Sequence, residues 1–158
     1  MSAIPLTVQG VERLNVELKR LKTVERPSVI NAIAEARAHG DLSENAEYDA
    51  ARERQAFVEG RIRELEGTIS NAQVIDPATL DVGDKVVFGA TVTIEDLDTE
   101  AQLTYQIVGD IESDIRENRI SISSPVARAL IGKSEGDDVT VQAPGGVREY
   151  EIVKIEYL

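Results

Sequence analysis

Apolar residues recur at steps of three and four through the first half of the chain, a spacing typical of paired amphipathic helices. The first run comprises Val11, Leu14, Leu18 and Leu21. The second run is longer and consists of Tyr48, Ala51, Gln55, Val58, Ile62, Leu65, Ile69 and Ala72. These runs predict two long helices that bury one seam against each other.

Proline and glycine indicate where the first of these helices is interrupted and where it ends. Pro27 has no N–H group to donate, so it predicts a break near residues 23–27. The apolar face resumes after it at Ile30, Ile33 and Ala34. Gly40 ends the segment, because glycine favours the position just past a helix C-terminus. We therefore predict an antiparallel coiled-coil hairpin over residues 1–75, with its tip at residues 40–45.

From about residue 80 the apolar period changes to two, which is typical of β-strands. The alternating segments lie at residues 85–88, 91–94, 103–108, 119–123, 138–141 and 150–155. One short helix is predicted over Val126 to Ile131, and Asp76-Pro77 marks a boundary before the sheet. The second half therefore predicts a small antiparallel sheet carrying one helix, and the chain belongs to the α+β class with a second domain at residues 80–158.

Charge and composition exclude several classes of protein. Of the net charge of −12, residues 1–75 carry −2 and residues 76–158 carry −10. This acidic surface repels phosphates, so strong binding of free nucleic acid is not expected. The sequence has no cysteine, which excludes disulfides and thiolate metal sites. No apolar run reaches the roughly 20 residues of a membrane span, so we expect a cytoplasmic protein without a membrane partner.

Two carboxylates, Asp41 and Glu44, lie three residues apart in the predicted turn. One interpretation is a capping box, in which Asp41 caps the second helix and Glu44 occupies its N3 position. The other is metal binding, because carboxylate oxygens are ligands that suit Mg²⁺. Two carboxylates alone hold this ion weakly, so a complete site needs further ligands from a partner. The residue types leave both interpretations open.

The segment around these carboxylates resembles the tip motif of the bacterial Gre transcript-cleavage factors. It reads GDLSENAEY over residues 40–48 and is followed by Ala50, Ala51 and Arg52. The likeness covers essentially the whole chain, through IPLT at 4–7, SNAQVI at 70–75, VFGATV at 87–92, SPVARALIGK at 124–133 and IEYL at 155–158. So many segments in the same order are more specific than the acidic pair alone.

The resemblance implies a factor that binds bacterial RNA polymerase and inserts its coiled coil into the secondary channel. Asp41 and Glu44 are then expected to reach the active site of a backtracked polymerase, where they help to hold a second Mg²⁺ or its water. Two metal ions activate water and stabilise the leaving oxygen in phosphodiester hydrolysis. The factor is expected to stimulate cleavage at the 3′ end of the nascent RNA. It is not an enzyme by itself and holds no metal tightly in isolation.

Further residues of the tip follow from the same resemblance. Arg37 and Arg52 match the basic patch that holds the extruded RNA, since guanidinium groups bind phosphates well. The patch is small, which is similar to the GreA type of the family rather than the GreB type. Ser43 and Asn45 are expected either to bond to the catalytic loop of polymerase or to cap the second helix.

The second domain resembles an FKBP-like module, which in the Gre family grips the rim of the polymerase channel. The candidate contact lies at a strand-to-helix junction and comprises Ser121, Ser123, Ser124 and Pro125. The alternative for this segment is an ordinary helix N-cap at Ser124. Two other functions stay open: a secondary-channel regulator that promotes no cleavage, and a coiled-coil scaffold or chaperone with an isomerase-like domain.

Overall fold

The computed structural model describes residues 3–40 and 45–158, and these form two compact units. The first unit contains Val11–Ala72, and the second contains Ala3–Gly10 together with Gln73–Leu158. The prediction from the sequence includes the N-terminal segment, residues 3–10, in the coiled coil. In the structure this segment belongs to the second unit, because its buried polar groups bond there.

The first unit is a helical hairpin, as the sequence predicted. Its elements are α1 (Val8–Arg20, whose first residues lie in the second unit), a π-helical turn (Leu21–Glu25), α2 (Arg26–Ala38) and α3 (Ala46–Ser70). The predicted seam of the second arm is confirmed, since Ala51, Val58, Ile62 and Leu65 are all buried in α3.

A π-helical turn interrupts the first arm where the sequence predicted a break. α2 begins at Arg26, so Pro27 lies in its first turn, where a missing N–H group costs no helical hydrogen bond. Within the π turn, the hydroxyl of Thr23 donates to the carbonyl of Lys19 at 2.7 Å. The backbone stays helical through Arg20, Glu25 and Arg26, so the first arm is one continuous helix with a π turn directly before the proline.

The π turn also decides which side of α2 is buried. Leu14 is buried before the turn, Leu21 is buried as its first residue, and Val29 and Ala36 are buried after it. Each of these pairs is one heptad apart, whereas Leu21 and Val29 are separated by eight positions, because a π turn holds one extra residue. The expectation that Ile30 lies on the buried face is therefore wrong, and its side chain is 53% exposed.

Ion pairs join the two arms along the edges of this seam. The guanidinium of Arg26 donates to both carboxylate oxygens of Glu59 at 2.8 Å. That of Arg61 donates to both oxygens of Glu17 at 2.6 and 3.0 Å. The bond from Arg26 holds the pKa of Glu59 below its ordinary value. Pairs of this kind fix the register of two helices more than they stabilise them.

The second unit is built on two sheets. β1 (Ile4–Thr7) and β2 (Ala72–Ile75) form a two-stranded sheet. The larger sheet has the order β5-β4-β3-β7-β6 and consists of β3 (Thr91–Asp96), β4 (Gln102–Val108), β5 (Arg119–Ser121), β6 (Asp138–Ala143) and β7 (Gly146–Glu156). A short helix, α4 (Pro125–Leu130), contacts β6, which confirms the predicted single helix on the sheet of an α+β fold.

The prediction of a wholly antiparallel sheet is wrong for one pair of strands. β4 and β5 run parallel, whereas the other pairs are antiparallel, so the sheet is mixed. The connection between them folds as two 3₁₀ turns, Asp110–Glu112 and Ile115–Glu117. These turns return the chain to the level of Gln106 before β5 begins, and the direction of β5 follows from that return.

The predicted strand at residues 85–88 is not part of the sheet. Its N–H groups bond elsewhere: Val86 donates to the carbonyl of Lys133 at 2.8 Å, and Val87 donates to the hydroxyl of Tyr157 at 3.1 Å. Burial raises the pKa of the Tyr157 hydroxyl. The alternation that suggested a strand instead reflects a loop whose apolar residues fill the core.

The core of the second unit lies between one face of the sheet and α4. Its buried members are Val86, Ala90, Val92, Ile94, Ile107, Ile120, Ala127, Leu130, Val139, Val141, Tyr150 and Ile152. Most are β-branched or aliphatic, which suits a thin sheet covered by one short helix.

A buried carboxyl group joins the N-terminal segment to the larger sheet. Glu112 is 5% exposed and accepts hydrogen bonds from the N–H of Thr7 at 3.1 Å and from the N–H of Gly109 at 2.9 Å. The hydroxyl of Thr7 also donates to Glu112 and accepts from the N–H of Gly10 at 2.9 Å. The first residues of α1, which themselves belong to the second unit, are thereby capped by Thr7.

Candidate functional site

The arms of the hairpin meet at the segment that carries the acidic motif. α2 ends at Ala38, and Gly40 follows with a φ angle of +98°, a conformation that glycine adopts without strain. α3 begins at Ala46, with Asn45 as its N-cap. The side chain of Asn45 accepts a hydrogen bond from the N–H of Tyr48 at 3.1 Å.

Asp41, Ser43 and Glu44, which the sequence proposed as metal ligands and tip support, lie outside the described residues. The capping-box interpretation requires the second helix to begin directly after Asp41. It is contradicted for α3, which begins at Ala46 and is capped by Asn45. The cap expected of Asn45 as one of two alternatives is confirmed, whereas a contact with polymerase stays a prediction.

A second contact spans the base of the tip. Nδ1 of His39, the C-cap residue of α2, lies 3.2 Å from a carboxylate oxygen of Glu47 in the first turn of α3. Both side chains are largely exposed. The end of α2 and the start of α3 therefore each contribute one residue to a polar contact.

The structure brings Arg37 and Arg52 to the same surface groove. This groove has a volume of about 260 Å³ and is also lined by Ile30, Ile33, Ala34 and Gln55. Both side chains are exposed, and neither guanidinium makes a hydrogen bond or ion pair with another described residue. Arg54, a further basic residue of α3, is instead paired with Glu25 of the π turn. Arg37 and Arg52 therefore present two guanidinium groups that no described side chain holds.

The predicted docking segment of the second unit surrounds a carboxylate that sequence reasoning missed. Asp110 accepts hydrogen bonds from the hydroxyls of Ser121 and of Ser123, the latter at 2.8 Å. These hydroxyls hold the pKa of Asp110 below its ordinary value. The dipeptide Gly109-Asp110 indicated only a turn, so a role for its side chain could not be read from it.

The rest of this segment starts α4. Ser124 accepts a hydrogen bond from the N–H of Ala127 at 3.3 Å, and Pro125 occupies the first helical position. The N-cap alternative for Ser124 is thus confirmed. A docking role for Ser121, Ser123, Ser124 and Pro125 stays a prediction, and capping does not conflict with it.

The hairpin also carries a partly apolar groove that the sequence analysis did not predict. Phe57 is 71% exposed and lines a groove of about 310 Å³ with Leu21, Val58 and the charged residues Glu17, Arg20, Glu25 and Arg54. Phe57 lies one position before the seam residue Val58. An apolar residue beside the seam was the feature of the sequence that could have indicated this groove.

Within residues 3–40 and 45–158, no group of three or more His, Asp or Glu side chains is placed to hold a metal ion. In the same part of the chain, no helix combines the length and apolar character needed to cross a membrane.

Comparison with known proteins defines the class to which this hairpin and sheet belong. One family model, described as transcription elongation factor, N-terminal, matches residues 4–74. Another, described as transcription elongation factor, GreA/GreB, C-term, matches residues 81–157. The two matches cover both units, and the class is that of transcription elongation factors. The chain belongs to the GreA/GreB family.

Individual relatives agree with this assignment along the full length. The chain is 66% identical over 157 residues to transcription elongation factor GreA of Alkalilimnicola ehrlichii, covering 99% of each sequence. It is 65% identical over 158 residues to GreA of Ralstonia nicotianae, covering 100% of each. Among solved structures it is similar to Thermus aquaticus Gfh1, with 29% identity, a TM-score of 0.45 and 99% of each chain covered. As a transcription elongation factor, the protein has RNA polymerase as its partner.

Proposed function

We propose that this factor stimulates RNA polymerase to cleave the 3′ end of nascent RNA in backtracked or arrested complexes. The observation that carries the proposal is the hairpin, in which α2 and α3 converge on the segment that contains Asp41 and Glu44. Nothing in a helical hairpin requires two acids at the turn, and the family assignment supplies the partner that would use them.

The carboxylates fit the metal that the proposal requires. Asp41 and Glu44 offer hard oxygen ligands of the kind Mg²⁺ prefers, and polymerase would complete the coordination. A Mg²⁺ ion held there supplies acid activation of water and stabilisation of the leaving oxygen. The two residues of this chain would bind and orient; the reacting bond and the remaining ligands belong to polymerase. The factor is thus an accessory protein that completes a partner's site.

The second unit is proposed to dock on the rim of the polymerase channel through Ser121, Ser123, Ser124 and Pro125. Support comes from the ordered hydroxyl pair of Ser121 and Ser123, held together on Asp110 at the surface. Because both hydroxyls donate to Asp110, a rigid polar junction of this kind orients acceptor oxygens toward a protein partner, and little further ordering is needed on binding.

Cleavage by purified components tests the proposal. The chain is added to backtracked bacterial elongation complexes that carry a 5′-labelled transcript, with and without Mg²⁺. We expect Mg²⁺-dependent shortening of the transcript from its 3′ end, and no cleavage when the factor meets free RNA. Binding without cleavage would favour the non-cleaving channel regulator. Absence of binding, with activity in a proline-isomerisation or client-protein assay, would favour the scaffold or chaperone.

Arg37 and Arg52 are proposed to hold phosphates of the extruded RNA, and a matched arginine gives the control. Replacing either by alanine is expected to weaken crosslinking to the RNA 3′ end on the order of tenfold, since one charged hydrogen-bonded contact is lost. Arg54→Ala is expected to change crosslinking little, because Glu25 already holds that guanidinium. Equal losses in all three variants would show a general effect of helix charge and contradict the assignment.

A further inference from the structure

The surface groove that contains Arg37 and Arg52, the arginine groove, also has an apolar wall. Ile30 and Ile33 of α2 line it. Ile33 is buried, whereas the side chain of Ile30 is 53% exposed. The π turn explains this difference, because its extra residue places Val29 on the seam and leaves Ile30 at the surface. The apolar wall therefore follows from how the first arm packs against α3.

An amide side chain lines the arginine groove on the side of α3. Gln55 occupies a seam position of the heptad pattern, and its neighbours in that pattern, Ala51 and Val58, are buried. Gln55 itself is half-buried, and its side chain makes no hydrogen bond with another described residue. The amide N–H and C=O groups of Gln55 are therefore available to a ligand in the groove.

The charges of the arginine groove are of one sign. None of the described residues that line it is acidic, so its two guanidinium groups attract an anion. The groove beside Phe57 differs, because both signs of charge line it and Arg54 is already paired there with Glu25. An apolar wall, an amide and two cationic groups in one concave surface suit a ligand that has an anionic end and a planar, weakly polar end.

We propose that the arginine groove binds one nucleotide, with the base against the wall at Ile30 and the phosphate on Arg37 and Arg52. This nucleotide is part of the extruded RNA, so the inference rests on the proposed function and adds a base contact to the phosphate contact. RNA-binding proteins hold unstacked bases against side-chain faces, guanidinium groups included, and bond to their edges, as Gln55 can here. A volume of about 260 Å³ lies at the lower limit of ligand pockets, which fits one nucleotide better than two.

Small ligands separate the contribution of the base from that of the phosphate. Adenosine and uridine 5′-monophosphate, ribose 5-phosphate and adenosine are each titrated into the full, isotope-labelled chain, and amide chemical shifts report binding. We expect both nucleotides to bind with Kd values on the order of millimolar. Ribose 5-phosphate and adenosine should bind about five- to tenfold more weakly, because each lacks one of the two recognised groups. The shifts should be largest at residues 30–37 and 52–55.

Replacing Ile30 changes the wall and leaves the charges in place. Ile30→Ala is expected to weaken binding of adenosine 5′-monophosphate about fivefold and to leave that of ribose 5-phosphate unchanged, because only the base loses contact area. Arg52→Ala should weaken binding of both ligands. Val16→Ala is the matched control, since Val16 is a β-branched residue of α1 that is 69% exposed and lines neither groove. It should leave every affinity unchanged.

Photocrosslinking tests whether the bound nucleotide belongs to the extruded RNA. Backtracked complexes are prepared with 4-thiouridine in the extruded 3′ segment, and the crosslinked peptide of the factor is identified after irradiation. We expect the crosslink to map to residues 30–37 or 52–55. Its yield should fall about fivefold in Ile30→Ala and stay unchanged in Val16→Ala.

Several outcomes would overturn the nucleotide site. Equal affinities for adenosine 5′-monophosphate and ribose 5-phosphate would show a simple anion site without a place for the base. Equal losses in Ile30→Ala and Val16→Ala would show a general effect of the helix surface. Transcript cleavage without nucleotide binding would refute the site and leave the proposed function intact. Nucleotide binding at the groove without any cleavage would do the reverse, because the titration needs no polymerase.

Discussion

Gly10→Ala is expected to lower the free energy of unfolding of the second unit by about 3 kcal/mol. A Cβ atom at position 10 would lie 1.7 Å from Oε1 of Glu112 and 2.2 Å from its Cδ. The carboxyl group would have to move. A flexible side chain moves at little cost only when it makes no hydrogen bonds. Here its displacement breaks bonds to Thr7 and Gly109 and leaves their buried polar groups unpaired.

Gly67→Ala is the matched control for this change. Gly67 lies in α3, and a Cβ there meets no atom within 4 Å. The same substitution is expected to stabilise the hairpin by roughly 0.5–1 kcal/mol, because alanine loses less conformational freedom in a helix. Urea unfolding is followed by near-UV circular dichroism for the second unit, which contains Tyr105, Tyr150 and Tyr157, and by far-UV circular dichroism for the helical hairpin.

A double-mutant cycle identifies the cause. In a Glu112→Ala background, the obstructing carboxyl group is gone, so adding Gly10→Ala should cost little further stability. If Gly10→Ala destabilises equally in both backgrounds, the clash with Glu112 is not responsible. A Gly67→Ala variant that loses as much stability as Gly10→Ala would likewise contradict the explanation.

Asp41→Asn and Glu44→Gln are each expected to reduce the maximal rate of transcript cleavage by about two to three orders of magnitude. Both substitutions keep the size of the side chain and remove its negative charge. Removing one preorganised electrostatic partner from a reacting site typically lowers the rate by about this factor. The double variant should lose about as much as the more severe single variant, because the two carboxylates act as one unit on one metal.

Glu47→Gln is the control for this series. Glu47 is the next acidic residue along the chain, is exposed, and contacts His39 rather than the proposed metal position. Its cleavage rate is expected to stay within about twofold of wild type, and polymerase binding should be unchanged in every variant. Raising Mg²⁺ should restore part of the rate in the single variants, which still have one carboxylate. Full activity in the double variant would refute the metal role of the acids.

The hairpin shows which parts of the fold a local pattern can predict. The seam from Ala51 to Leu65 was predicted because every third or fourth residue of one helix faces the same side. The buried side of α2 was not, since one additional residue in the π turn shifts that face by a position. No propensity of Leu21–Glu25 signals such a turn. It is the packing of the first arm against α3 that selects it.

In the second unit, too, a local pattern predicts the strands but not how all of them are arranged. Alternation predicted the strands that became β3, β4, β6 and β7, and it could not give the direction of β5. That direction depends on two 3₁₀ turns, which are stabilised by bonds to residues distant in sequence. Glu112 is the clearest example, because its partner Thr7 is 105 positions away.

The sequence by itself determined the two-part organisation and the family, since periodicity and motif order are properties of the chain alone. Only the tertiary structure decided that residues 3–10 join the second unit, that Arg37 and Arg52 share a groove, and that Ile30 lines the same groove. Each of these depends on groups that are distant along the chain becoming neighbours. A buried or confined polar group then takes whichever partner packing brings within hydrogen-bond distance.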